Sequence, residues 1–125
     1  MKVSYDFVKD KIKYFNIWVF KEPLPEIPII LTDVKTYLGQ LRYTRKRQPD
    51  GTFRYSDFLF RFNTRYDLKT EEWEDIILHE MIHYCIAYNQ ITDSSPHGKI
   101  FRKMMKTINQ RFNRNITIRY RQNLT

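Results

Sequence analysis

The chain has 125 residues, of which 42% are hydrophobic and 16% aromatic; this suits a single globular domain spanning 1–125 and excludes a disordered polypeptide. Lysine and arginine number 22 against 14 acidic residues, a formal charge of +8 that would attract polyanions such as nucleic acid, or else be no more than the surface of a basic soluble protein. A lone cysteine, Cys85, excludes an internal disulfide framework and a cysteine-rich zinc ribbon, and points to a reducing compartment.

The opening MKVSYDFVKDKIKYF lacks a signal-peptide pattern, and the apolar runs IWVF and IPIIL are too short to span a bilayer. A cytoplasmic protein with no membrane partner is therefore expected. Residues 4 to about 20 read as an amphipathic helix capped by Ser4, with Tyr5, Val8, Ile12, Phe15 and Val19 on one side. Pro23, Pro25 and Pro28 end it, and IPIILTDV reads as a short strand.

QLRYTRKRQPDGTFRYSDFLFRFN reads as a hairpin about the turn QPDG. Its first arm carries Arg42, Arg45, Lys46 and Arg47, with Tyr43 among them. This group either grips single-stranded nucleic acid by charge and stacking or forms a solvated hairpin tip. In the returning arm, Phe58, Phe60 and Phe62 alternate with Leu59, Arg61 and Asn63. That arm is the expected border of a cleft, where an extended substrate could add as a strand; otherwise it is an ordinary strand of the sheet.

A second helix is expected from Thr70 to about Asn89, with Glu71, Glu72 and Glu74 in its first turn. After the polar loop NQITDSS, a third helix is expected with Ser95 as cap and Pro96 at its first position. NITIRY reads as a last strand.

Two of the three histidines lie in IILHEMIHYCIA. His79 and His83, four apart on a helix, project from one face and can share a metal ion. Glu80 is rotated away from the ligand positions but can reach a metal-activated water as general base, the HExxH arrangement of metallopeptidases. The third histidine, His97, opens the next predicted helix and completes three protein ligands with a fourth position left open, the pattern of a catalytic Zn2+ site. The other reading of His97 is an ordinary helix-terminal residue. Asp93 is a candidate partner for the ligands or a solvated loop acid. Cys85 reads as a small buried hydrophobe rather than a ligand, Met104 and Met105 as core filling. Tyr84, Tyr88 and the hairpin tyrosines are candidate oxyanion donors that spacing alone does not separate.

The segments ILHEMIHYCIAYN, SPHGKIFRKMMKTIN and the closing NITI resemble the SprT-like family of zinc metallopeptidases. The likeness runs more loosely through the N-terminal aromatic-rich helix and Leu38-Gly39. It implies an α+β fold of the minimal zincin type: an N-terminal helix, a small antiparallel or mixed sheet, the HExxH helix and a following helix. It further implies zinc on His79, His83 and His97, catalysis by Glu80, and a protein substrate that is DNA-bound or crosslinked to DNA. The chain departs from some relatives in lacking a cysteine-based zinc ribbon, which leaves its basic surface to find DNA. The competing expectation is a zinc-stabilised nucleic-acid-binding module that no longer cuts.

Overall fold

The computed structural model describes residues 1–21 and 23–119. In chain order the elements are α1 (Tyr5–Trp18), β1 (Ile29–Thr32), β2 (Gly39–Arg47), β3 (Phe53–Asn63), α2 (Thr70–Tyr88) and α3 (Lys99–Phe112). The Ser4 side chain accepts a hydrogen bond from the Phe7 N–H, the expected cap of α1. Val8 and Phe15 of the anticipated apolar face are buried, Ile12 and Val19 are half-buried, and Tyr5 is exposed. No helix among the described residues is long and apolar enough to cross a membrane.

The three strands form a mixed sheet in the order β1-β3-β2, with β1 parallel and β2 antiparallel to β3. The hairpin turns at Gly51, whose φ of 87° favours glycine, and Asp50 braces it by accepting from the Thr52 N–H and hydroxyl. One expectation for β3 is corrected here. Residues 60–63 are flanked by β1 and β2 together, so the ladder already uses both sides of that stretch and no substrate strand can pair there. β1 and β2 are the two edge strands, and β2 is the one that packs against α2.

α2 is the centre of the core. Trp73, Ile76, Ile77, Leu78, Met81, Ile82, Ile86 and Ala87 are buried, so apolar side chains leave the helix on nearly every side. Lys69 precedes it, and the Glu72 carboxylate reaches back to accept from the Lys69 N–H. β2 crosses α2 closely at Gly39, where a Cβ would sit 3.0 Å from Ile76 Cγ2 and 3.1 Å from the Phe62 ring. A side chain there would require Ile76 and Phe62 to give way, so glycine lets the strand lie close to the helix without that shift.

Two further elements differ from expectation. α3 begins at Lys99 with Gly98 as its cap, so Ser95 and Pro96 belong to the preceding turn. Residues 115–119 of the expected NITIRY strand are irregular, and Tyr120 lies outside the described residues. The reason is where the backbone bonds go. Ile116 N–H donates to Asn109 Oδ1 and Ile116 C=O accepts from Asn109 Nδ2, so side chains have replaced a strand partner. Arg114 then ties the segment to α2 through Asp75 at 2.8 Å and Glu74 at 3.3 Å.

Asn63, fully buried at the end of β3, holds the crossover from β1 to β2. Its Nδ2 donates to Val34 O and Tyr37 O, and its Oδ1 accepts from the Val34 and Arg65 N–H groups. Asn63→Leu keeps the volume but orphans those backbone groups. It should cost about 3 kcal/mol or more, read as a lower denaturant midpoint at unchanged slope; a loss below about 1 kcal/mol would show the crossover to be held by packing alone.

Candidate metal centre

Helical spacing places His79 and His83 one turn apart on α2, and the turn before α3 brings His97 across to them. His97 Nε2 lies 3.2 Å from His83 Nε2 and 3.2 Å from His79 Nε2. Tetrahedral ligation at about 2.0–2.1 Å would put ligand nitrogens about 3.3 Å apart, so the donor set has the size that a metal ion requires. The three histidines are thus positioned to bind a metal ion. The chemistry of the set agrees with the geometry. His79 Nδ1 lies 2.8 Å from Thr117 O, and a carbonyl can only accept, so the proton sits on Nδ1 and the lone pair on Nε2 faces the cluster.

Burial keeps the rings neutral, the form that ligates. It lowers the His79 pKa to about 4 against the opposing Thr117 hydrogen bond, and lowers that of His83 to about 3 with help from the neighbouring His79. The Phe101 ring is the floor of the cluster, with its centroid 4.9 Å from His79, 4.5 Å from His83 and 4.9 Å from His97. Phe101 falls within SPHGKIFRKMMKTIN, one of the segments that carry the family resemblance. Thr117 and Asn109 fall within such segments too, but their roles carried no signal, because they act through a main-chain carbonyl and a helix side chain far along the chain.

Glu80 is buried, with Oε2 3.9 Å from His79 Nε2. Its carboxylate accepts a hydrogen bond from the Leu41 N–H of β2, yet burial still pushes its pKa up to about 8. It is therefore a carboxyl group poised near neutrality between the free strand edge and the imidazoles. Beside His83 a cavity of about 320 Å³ is lined by Tyr43, Arg45, Tyr55, Thr92, Asp93 and Pro96 among others. Of the tyrosines considered as donors, Tyr84 gives its hydroxyl to Pro25 O, and the Tyr55 hydroxyl bonds Thr92. Tyr43, displaced by a register shift between Arg42 and Thr44, is exposed and lines that cavity.

Cys85 lies outside the imidazole cluster, half-buried against α3, and Met104 and Met105 pack on the core as expected. Arg42, Arg45, Lys46 and Arg47 are exposed along β2. They do not reach the metal ligands, apart from Arg45 at the cavity mouth.

Asp93 has a defined job. Oδ1 accepts from the Ser94 and Ile100 N–H groups and Oδ2 from Phe101 N–H, so this loop carboxylate caps α3 from outside the helix. His97 sits inside the clasp that it closes. Gly98 completes the clasp, since a Cβ there would collide with Ser94 Oγ and Asp93 Oδ1. Arg102 Nε holds the His97 carbonyl at 2.9 Å.

Two outcomes follow for the isolated protein. Asp93→Ala should weaken divalent-metal affinity about 10-fold or more, measured by competition with a chelating dye, while Asp50→Ala at the hairpin turn leaves it unchanged. Equal losses in both would assign Asp93 to general stability. The pH dependence of stability should separate Glu80 from the histidines. A carboxyl raised from 4.5 to about 8 gives stability that is complete below 4.5 and lost as pH rises through 8. The lowered histidines act only below 6.5, losing stability as pH falls. Between pH 6.5 and 8 the metal-free protein should therefore lose melting temperature where Glu80→Gln does not, and parallel curves would refute the buried acid.

The profile of the SprT-like family matches residues 8–121. A search of curated proteins gave no match. That span runs from α1 through the converged imidazoles and past the segment that orients His79, and it shows that the chain belongs to the SprT-like family.

Proposed function

We propose that the protein is a zinc-dependent endopeptidase. The observation that carries this reading is the placement of Glu80, buried beside three converged imidazoles and bonded to the backbone of a strand with a free edge. A closed structural site would have four protein ligands, whereas three nitrogen donors beside a carboxyl group match the catalytic kind. Zinc bound there supplies Lewis-acid activation of water and of the peptide carbonyl.

The remaining work falls to residues of the chain. The Glu80 carboxylate accepts the proton of the attacking water and returns it to the departing amine nitrogen, so the peptide C–N bond breaks with protons balanced. His79 holds its ring by the Thr117 bond, and His97 by the Asp93 clasp. The open edge of β2 near Leu41 aligns an extended polypeptide by main-chain hydrogen bonds, and the cavity beside His83 takes one of its side chains.

The same strand suggests the substrate class. Past Leu41, β2 carries Arg42, Arg45, Lys46 and Arg47, and Lys46 stands directly opposite Arg54 of β3. Like charges opposed across a ladder destabilise the pair unless an anion lies against them. We assign this ribbon to DNA, single-stranded in particular, so that proteins bound or crosslinked to DNA are presented to the adjacent edge.

The test is cleavage of a DNA-binding protein by the zinc-loaded enzyme with and without single-stranded DNA. Glu80→Gln should keep its zinc and lose at least about 10²-fold in turnover; undiminished cleavage would refute the mechanism. Lys46→Glu with Arg47→Glu should leave basal cleavage intact and abolish the DNA stimulation. Zinc binding and DNA binding without any cleavage would instead favour the non-cutting module.

A further inference from the structure

A second surface lies away from the metal ligands, between the end of α1 and the outer side of α3. A groove of about 600 Å³ is floored by Val19, Phe20, Leu24, Met104 and Ile108, with Cys85 at its α2 side. Its volume falls in the range of sites that bury a ligand, about 300–1,000 Å³. At the rim stand Lys21, Lys103 and Arg111, all exposed, and no acidic residue lines it among the described residues. The charge bias extends along α3, whose sequence KIFRKMMKTINQRF contains five cations and no anion. Lys99, Arg102, Lys103, Lys106 and Arg111 all face solvent.

In the turn of α1 that precedes the groove residues Val19 and Phe20 in sequence, Tyr14 is 55%, Ile17 73% and Trp18 64% exposed. Three large apolar side chains on one turn-to-turn stripe are unusual on a surface with nothing to bind. Charge and shape together define the occupant. A phosphodiester backbone would satisfy the cations but offer nothing to an apolar floor. A polypeptide with acidic residues flanking large apolar ones satisfies both, and a groove between two helices accepts such anchors at helical spacing. We propose that this groove is a docking surface for an acidic, amphipathic segment of a partner protein. The inference does not depend on whether the chain cuts peptides.

Cys85, the only cysteine of the chain, makes occupancy measurable, because a peptide seated in the groove covers it. Random peptides displayed on phage are selected on the full chain, then synthesised and tested for protection of Cys85 from iodoacetamide. The expected binders carry several Asp or Glu with apolar residues three and four apart and slow alkylation. They should bind Lys103→Glu/Arg111→Glu about tenfold more weakly or worse, while that variant keeps its helical circular dichroism and its metal. Failure to enrich any peptide, binders indifferent to the double variant, or binders that leave Cys85 reactive would overturn the proposal. Protection by a single-stranded oligodeoxynucleotide would overturn it in favour of nucleic acid. Because metal binding and Glu80-dependent cleavage are scored separately, a failure here leaves the peptidase reading standing, and the converse holds.

Discussion

α2 has to place two histidines and a carboxyl group, His79 and Glu80 buried and His83 half-buried, in the most apolar part of the molecule. Polar groups without partners there would cost about 1–3 kcal/mol each, so the elements around the helix are arranged to supply partners. Thr117 O receives the proton of His79, Leu41 N–H reaches Glu80, and Phe101 packs beneath all three rings. These residues come from the C-terminal segment, from the sheet and from α3, three parts of the chain that meet only through the folded core. The irregular course of residues 114–117 serves the same end, since a regular strand would spend the Thr117 carbonyl on a ladder.

β2 joins two properties that sequence alone would leave separate. Its start must approach α2 within side-chain contact, which Gly39 permits, and its end projects into solvent with four cations. The strand is therefore a buried partner of Glu80 at one end and an electrostatic surface at the other. The bulge near Tyr43 marks the change, freeing that ring from the ladder and aiming it toward the cavity beside His83.

Electrostatics around the imidazoles favours a bound cation. Three ring nitrogens converge, with His97 Nε2 3.2 Å from each of the other two, and at least one presents a lone pair, so they repel unless a positive charge lies among them. Protonation is resisted by burial, which is why the ring pKa values fall rather than rise. The Asp93 clasp works on the same problem from outside, holding His97 near two neighbours that it would otherwise leave. Its own charge is neutralised by helix N–H groups rather than by the metal ligands, so it fixes position without competing for coordination.

Much of this was legible in the residues themselves. HEMIH within an apolar run specified a core helix with two ligands one turn apart, because helical periodicity is local. Ser4 and QPDG marked a cap and a turn for the same reason, as backbone preference and short-range hydrogen bonds act within a few residues. Tertiary structure alone decided that β3 is the covered central strand, because β1 pairs with it across about thirty residues of sequence and Asn63 pins the connection from β1 to β2. It also moved the start of α3 past Pro96, since Asp93 caps from outside the expected boundary, and it turned an apparent strand at Asn115–Arg119 into a support for His79. Local pattern determined each element and ligand type; long-range hydrogen bonds, whose partners are far apart in sequence, decided how they meet.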